Sequence, residues 1–218
     1  MIKAVIYDVD GTMVNSEPLH VAAWDKALQS HGHRLSDLSQ EFQATMAGKK
    51  PIAIAEGMVS ELGLSISSQQ LMTAKSKLFL ESTKTDLRGM QGVKASVQRC
   101  KQAGLLLAIG TSLDRDYVDL VLTRLGLRDV FDVIVTGDQI EHGKPHPETY
   151  LTVCDQLRLQ PSECVVIEDA QSGIQAAKAA GTWCVAVTDI AAMSQDTTEA
   201  DVTISSLDDL TLELISSL

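Results

Sequence analysis

The chain has 218 residues, of which 44% are hydrophobic and 22% charged, and its formal net charge is −11 at pH 7. This composition is typical of a globular protein with a sizeable core. The negative charge, without any Lys/Arg cluster, argues against a nucleic-acid binder. No segment approaches the roughly 20 apolar residues of a membrane span, and the apolar N-terminal run leads straight into Asp8, unlike a signal peptide. The four widely spaced cysteines indicate a reducing compartment, so we expect a cytoplasmic protein.

Short apolar runs that predict β-strands recur along the chain. They lie at residues 4–7, 105–109, 133–135, 164–167, 184–187 and, more weakly, 202–204. Helical patterns lie at 94–103, 114–125 and 171–180, and each is followed by a glycine, which favours a helix C-terminus. This alternation predicts an α/β fold, a doubly wound parallel sheet with helices on both faces.

The last residues predict one more helix. Leu207, Leu210 and Leu214 have helical spacing, and Ser206 and Asp209 are placed as a capping box at its start.

The segment between the first and second strands is helical throughout. Ser16 is placed to cap a helix that carries Val21, Trp24 and Leu28 on one face. Pro51 opens a second helix, and Leu71, Ala74 and Leu78 mark a third. We therefore predict an α/β catalytic core of residues 1–14 and 89–218, and a small all-helical domain of residues 15–88 inserted after strand one.

Polar side chains follow four of the predicted strands. In chain order they are Asp8 and Asp10; Thr111 and Ser112 after Gly110; Lys144 within Gly-Lys-Pro; and Glu168 with Asp169. Because ligands of an open parallel sheet bind beyond the carboxyl ends of its strands, we expect these groups to meet at one edge.

This set of groups suits phosphoryl transfer. Clustered carboxylates stay ionised when a hard cation lies among them, and Mg²⁺ prefers oxygen ligands. Thr111 and a helix N-terminus would donate hydrogen bonds to a phosphate, and Lys144 would supply positive charge. An aspartate so placed can attack phosphorus, while its neighbour protonates the leaving alkoxide and later deprotonates a water.

Spacing excludes two other sites. An EF-hand counted from Asp8 requires glutamate at position twelve, where the chain has Leu19. A Walker A motif requires Ser or Thr after its lysine, whereas Pro145 follows Lys144. A phosphoacceptor receiver domain is the alternative from a different class of protein. Here, however, the lysine precedes the second acidic pair, and a receiver has no helical insertion.

The segments DVDGT, GTS, GKP and IEDAQSGI, in this order, resemble the haloacid dehalogenase superfamily. The resemblance covers nearly all of the chain outside the helical insertion. The position of that insertion, and the segment NSEPLH with Trp24 behind it, resemble the branch of β-phosphoglucomutase and small-sugar phosphatases, which has a four-helix cap. An Asp10 partner and an acidic fourth motif favour phosphoryl transfer over dehalogenation.

The resemblance implies Mg²⁺ as cofactor and a role for each site residue. Asp8 would be the nucleophile and Asp10 the general acid/base. The metal would be bound by Asp8, the Asp10 carbonyl and Asp169, with Glu168 close to the metal or its waters. The phosphate would be held by Gly11, Thr111, Ser112 and Lys144.

In such a fold the helical domain closes over the site and contributes specificity. Its candidate substrate-binding residues are His20, Lys49, Lys50 and Lys75. His20 and Lys75 resemble residues of the mutase. However, the lysines of GKKP stand where the mutase offers an arginine, whose planar fork grips phosphate in two places.

We therefore expect a monomeric, Mg²⁺-dependent phosphatase that hydrolyses a small phosphorylated metabolite, a sugar phosphate, through an aspartyl-phosphate. The segment DGTMVNSE, which looks more like the broad phosphatases, supports this choice. A β-phosphoglucomutase-type mutase that uses the same aspartyl-phosphate is the first alternative, and a receiver module is the second.

Overall fold

The computed structural model describes residues 1–46, 51–188 and 196–218. The strands in these ranges are β1 Ala4–Tyr7, β2 Val14–Asn15, β3 Arg88–Gly89, β4 Leu106–Gly110, β5 Val133–Val135, β6 Cys164–Glu168, β7 Trp183–Val187 and β8 Val202–Ile204. The α-helices are α1 Glu17–Gln29, α2 Gln40–Ala44, α3 Pro51–Leu62, α4 Ser68–Asp86, α5 Val93–Gln102, α6 Arg115–Leu125, α7 Glu148–Leu157, α8 Gln171–Ala180 and α9 Leu212–Ser217. Among the helices described, none is long and apolar enough to span a bilayer.

The chain divides into two compact units. The first consists of Met1–Asn15 and Arg88–Leu218, and the second of Ser16–Leu87. The boundaries predicted from the sequence, 14/15 and 88/89, differ from these by one residue. That the first unit is a catalytic core and the second a cap stays a prediction.

The first unit contains a parallel sheet with the strand order β5-β4-β1-β6-β7-β8. β1 and β6 are buried along their whole length, which explains their continuous apolar sequences. Helices α5 to α8 connect successive strands of this sheet, so the prediction of an α/β fold with a parallel sheet is confirmed. The predicted strands are all present, with ends that differ by at most one residue.

The register of the sheet brings the functional sequence segments to the same level. Tyr7 at the end of β1 lies opposite Ile109 on one side and Ile167 on the other. The next residue, Asp8, therefore emerges level with Gly110 and Glu168, and its backbone N–H donates to the Ile167 carbonyl at 3.0 Å.

The short strands β2 and β3 were not expected from the sequence. They pair antiparallel, with Val14 opposite Gly89 and Asn15 opposite Arg88. The pair joins the two places where the chain passes between the units. Strands of two residues carry no periodicity, so no pattern could have predicted them.

The second unit has its own hydrophobic core, formed by α1, α3 and α4. Trp24, Leu28, Met58 and Leu71 lie within it. Val21 was predicted on the same face but is 47% exposed, so that assignment was wrong. At 100° per residue, Val21 lies about 20° beyond Leu28, at the outer edge of the stripe formed by the buried residues Ala23, Trp24, Ala27 and Leu28.

One of the two predicted caps is wrong, and the other caps a shorter element than expected: Ser206 accepts from the Asp208 N–H at the start of a 3-10 turn. Ser16 stands at the start of α1, but its side chain makes no capping hydrogen bond. The predicted C-terminal helix is split into a 3-10 turn, Leu207–Asp209, and α9, which Thr211 caps by accepting from the Leu214 N–H. At this interruption the Arg99 guanidinium donates to the Leu207 and Leu210 carbonyls, so both carbonyls have a hydrogen-bond partner outside the segment.

Two leucines test how much the sheet core contributes to stability. Leu107→Ala, in the fully buried centre of β4, should lower the free energy of unfolding by about 2–5 kcal/mol, because it leaves a cavity. Leu151→Ala removes the same atoms from a side chain that is 42% exposed on α7. This substitution should change the free energy of unfolding by about 0.5 kcal/mol or less. Urea denaturation followed by circular dichroism measures both. Equal losses would contradict the assignment of Leu107 to the core.

Candidate active site

Lys144 joins three strand ends of the first unit. Its ammonium nitrogen Nζ donates to Asp8 Oδ1 at 2.6 Å, to Glu168 Oε1 at 2.7 Å and to the Gly110 carbonyl at 3.1 Å. The Lys144 side chain is only 6% exposed. The lysine of the GKP segment therefore lies among the residues at the carboxyl ends of β1, β4 and β6, where the sequence predicted it.

Glu168 is held on both carboxylate oxygens. Oε1 accepts from the Tyr150 hydroxyl at 2.8 Å as well as from Lys144, and Oε2 accepts from the Asp169 and Ala170 N–H groups at 2.9 and 3.1 Å. A Cβ at position 173 would overlap the same carboxylate, so Gly173 leaves room for it. These contacts favour a role for Glu168 in positioning Lys144. This role is additional to the predicted location of Glu168 near a metal.

Asp169 approaches the turn after β1. Its Oδ1 accepts from the Thr12 hydroxyl at 3.2 Å, and a Cβ at position 11 would overlap its carboxylate. Gly11 also has a φ of 85°, in the left-handed region that favours glycine. The glycine of the DVDGT segment therefore allows both the turn and the close approach of Asp169.

Burial and mutual repulsion perturb the pKa values of these groups. Burial raises the pKa of Asp8 to about 7, and Lys144 opposes this shift while Glu168 adds to it. Burial, together with Asp8 and Glu168, raises the pKa of Asp169 to about 8. For Lys144, burial lowers the pKa, but the attraction of Asp8 and Glu168 outweighs it and raises the pKa above its usual value. One ammonium group does not compensate for three buried carboxylates.

The carboxylates therefore fit a hard divalent cation. Asp8, Glu168 and Asp169 each offer an oxygen, and these atoms lie within 4.8 Å of one another. The donors are all oxygens, which Mg²⁺ prefers, and a cation would favour the ionised forms that burial disfavours. The residues predicted to bind Mg²⁺ through their side chains are thus close enough to share one ion.

The remaining predicted residues of the first unit lie next to this cluster in the chain. Asp10 is partly buried two residues after Asp8, and its charge contributes to the raised pKa of Asp8. Thr111 is buried directly after Gly110, and its N–H donates to the Val135 carbonyl at 3.1 Å. Ser112 is exposed. The roles of these residues stay predictions.

Tyr150, Thr12 and Gly173 were not predicted as site residues. Tyr150 belongs to the apolar face of α7, where a buried aromatic side chain is ordinary core. Thr12 is part of the DVDGT segment, so its position two residues after Asp10 was a usable signal. Gly173 gave no signal, because a glycine inside a helix has many structural explanations.

The candidate residues of the second unit form a pair. Lys75 Nζ lies 2.6 Å from His20 Nδ1, and the His20 ring stacks on Phe79 with their centroids 4.0 Å apart. Lys75 is buried and lies 5.4 Å from the centre of the Trp24 ring. Lys49 and Lys50 lie outside the described residues. Substrate contact by any of these side chains stays a prediction.

Comparisons with known proteins concern the chain as a whole. The model of a family described as haloacid dehalogenase-like hydrolases matches residues 5–187. A validoxylamine A 7'-phosphate phosphatase from Streptomyces hygroscopicus subsp. limoneus is 33% identical over 189 residues, 86% of either chain. A phosphorylated carbohydrates phosphatase from Thermotoga maritima is 33% identical over 83% of this chain and 82% of its own. A T. maritima crystal structure, provisionally named a β-phosphoglucomutase, has a TM-score of 0.85 at 27% identity over the full length of both chains.

The raised pKa values predict how stability depends on pH. Asp8 and Asp169 have higher pKa values in the folded protein, about 7 and about 8, than the value near 4 of the unfolded chain. Their protonation therefore stabilises the folded state fully below pH 4, and this stabilisation is lost as the pH rises towards about 8. With EDTA present, the melting temperature should therefore fall from pH 5 to pH 8. Mg²⁺ should raise it more at pH 8, because the metal binds the ionised carboxylates.

The variant Asp169→Asn isolates this effect. Its melting temperature should fall less from pH 5 to pH 8 in EDTA and should rise less when Mg²⁺ is added. Asp155→Asn, at an exposed position of α7, should behave as the wild type. Thermal unfolding measures all three proteins. The same pH dependence and the same Mg²⁺ response in Asp169→Asn and the wild type would contradict the assignment.

Proposed function

The chain belongs to the haloacid dehalogenase-like hydrolase family, and from this premise we propose that it is a Mg²⁺-dependent phosphatase of a phosphorylated sugar, with Asp8 as the phosphorylated nucleophile. It is a phosphoric monoester hydrolase, as its relatives are named phosphatases. The single observation that carries the mechanism is the buried Lys144, which donates to both Asp8 and Glu168 beside Asp169.

The substrate class follows from the relatives. Those that match at 33% identity are named for a phosphorylated carbohydrate and for validoxylamine A 7'-phosphate. Both names describe a phosphorylated compound, and one of them a phosphorylated carbohydrate. A sugar phosphate is accordingly the substrate that we propose for this chain.

In the first step, a carboxylate oxygen of Asp8 attacks phosphorus, so that an Asp8 oxygen–phosphorus bond forms and the bond from phosphorus to the sugar oxygen breaks. Asp10 gives its proton to the departing alkoxide. Lys144 holds Asp8 Oδ1 at 2.6 Å and so orients the nucleophile, and its charge is available to the phosphoryl oxygens.

In the second step, Asp10 removes a proton from a water that attacks the phosphorus of the aspartyl-phosphate. The bond between phosphorus and the Asp8 oxygen breaks, inorganic phosphate leaves, and Asp8 returns to its carboxylate form. Thr111 follows Gly110, whose carbonyl accepts from Lys144, and is assigned to the phosphoryl oxygens.

Mg²⁺ would be held by Asp8, Asp169 and the Asp10 carbonyl, with Glu168 nearby, and would neutralise charge at the reacting phosphate. Asp8 must be ionised to attack. Its pKa of about 7 in the metal-free protein leaves a large fraction protonated at neutral pH, so a bound cation also favours the reactive form.

A phosphomutase is the second candidate function. The full-length similarity to the structure provisionally named a β-phosphoglucomutase, and the His20–Lys75 pair, favour it. A mutase must protect the aspartyl-phosphate from water, whereas a phosphatase must admit water.

A panel of phosphorylated sugars and nucleotides, with isomerisation of glucose 1-phosphate measured beside phosphate release, separates the two. We expect phosphate release to dominate; isomerisation faster than release would favour the mutase. A receiver module is not retained, because the family is one of hydrolases.

Two carboxamide variants test the mechanism, Asp8→Asn with p-nitrophenyl phosphate and Asp10→Asn with a sugar phosphate. Asp8→Asn should reduce turnover to background, because an amide does not attack phosphorus. Asp10→Asn should lower kcat with a sugar phosphate by roughly 10²–10⁴-fold, the usual contribution of a general acid/base. EDTA should abolish wild-type activity, and added Mg²⁺ should restore it.

Asp116→Asn, at an exposed position of α6, is the matched control and should retain wild-type rates. Thermal unfolding of each variant shows whether the fold is intact. Substantial turnover by folded Asp8→Asn would refute its role as nucleophile, and a near-wild-type rate for Asp10→Asn would remove it from acid/base catalysis.

A further inference from the structure

A second group of metal-ligating side chains lies on the loop that carries Lys144. Among the described residues, His142, His146 and Glu148 each offer a ligand atom, and these three atoms lie within 4.8 Å of one another. Glu148 Oε2 lies 3.0 Å from His142 Nδ1 and 3.8 Å from His146 Nδ1. The two imidazole rings have their centroids 4.8 Å apart.

These distances match the spacing of ligands around a single ion. Zinc bonds to nitrogen and oxygen of about 2.0–2.2 Å in a tetrahedral array place neighbouring ligand atoms roughly 3.3–3.5 Å apart. One observed distance lies below this range and the other above it. An ion bound at His146 Nδ1 would replace the hydrogen bond that this nitrogen accepts from the Glu148 N–H at 3.3 Å. Two imidazoles and one carboxylate also form a donor set that favours transition metals over Mg²⁺, which prefers oxygen alone.

We propose that His142, His146 and Glu148 form a binding site for a divalent transition-metal ion of the Zn²⁺ class, separate from the acidic cluster at Asp8. A fourth position would be left to water or to an external ligand, as in open three-ligand zinc sites. This proposal does not depend on the reaction that the enzyme catalyses.

The backbone already orients the central ligand. Glu148 Oε1 accepts from the Glu141 N–H and Oε2 from the His142 N–H, both at 2.9 Å. These bonds hold the carboxylate at the first turn of α7 and favour its ionised form. The site therefore does not need to assemble three independent flexible side chains.

The surroundings also admit a cation. The side chains of His142 and His146 are 58% and 52% exposed, so an ion reaches them directly from solvent. Lys144 lies between them in sequence, but its ammonium is turned inward and paired with Asp8 and Glu168. Its charge is thus compensated within the first unit, and the net charge of −11 favours cations in general.

A metal in this site would cross-link the loop at both sides of Lys144. His142 and His146 are each two residues from it, and Glu148 begins α7. The ion would therefore restrict the segment that presents the buried ammonium to the acidic cluster.

Isothermal titration of Zn²⁺ into the untagged full chain, with excess Mg²⁺ to occupy the all-oxygen site, tests the proposal. The wild type should bind one Zn²⁺ per chain. His142→Ala/His146→Ala should weaken the Zn²⁺ affinity by at least about tenfold. Loss of a residue that only hydrogen-bonds to a metal ligand already lowers metal affinity by about 10–100-fold. His31→Ala/His33→Ala removes the same number of imidazoles from a loop of the second unit and should bind as the wild type.

Asp169→Asn should also keep this Zn²⁺ affinity, which distinguishes the site from the acidic cluster. Circular dichroism of each variant checks the fold, and anomalous diffraction at the zinc edge should place the ion against His142, His146 and Glu148. No saturable Zn²⁺ binding by the wild type would overturn the proposal. Equal affinity in the wild type and the His142→Ala/His146→Ala variant, or an ion located elsewhere, would overturn it too.

Discussion

The feature on which the site depends is the concentration of negative charge that the sheet buries around Lys144. Asp8, Glu168 and Asp169 come within 4.8 Å of one another, and Lys144 pairs with the first two. Removing ionised groups from water is costly unless they are paired and hydrogen-bonded. The sheet register and the glycines beside the carboxylates bring these groups together, and the predicted chemistry depends on their pairing.

The parallel sheet and two glycines make the arrangement sterically feasible. β1 lies between β4 and β6, so Asp8 emerges between Gly110 and Glu168. Gly11 and Gly173 leave space that any Cβ would take from the Asp169 and Glu168 carboxylates. The Tyr150 hydroxyl then satisfies an oxygen of Glu168 at 2.8 Å. Packing and electrostatics therefore constrain the same small group of residues.

The sequence predicted the elements whose signals are local. Apolar runs revealed the strands of the parallel sheet, and the polar residues after them indicated which side chains would meet, as Lys144, Asp8 and Glu168 do. Tyr150 was missed because its partner, Glu168, lies 18 residues away, and nothing in its own neighbourhood distinguishes it from core. The interruption of the C-terminal helix was missed for the same reason, because the Arg99 hydrogen bond found there joins residues 111 positions apart in sequence.

The most direct test of the central claim is to trap the phosphoryl group. In Asp10→Asn, p-nitrophenyl phosphate should still phosphorylate the enzyme, because its leaving group needs little protonation, while hydrolysis lacks its general base. Rapid mixing with Mg²⁺, acid quenching and peptide mass spectrometry should then find the phosphoryl group on Asp8, and find none in Asp8→Asn/Asp10→Asn. Phosphate released in a single turnover while Asp8 stays unmodified, or a phosphoryl group on another residue, would contradict it.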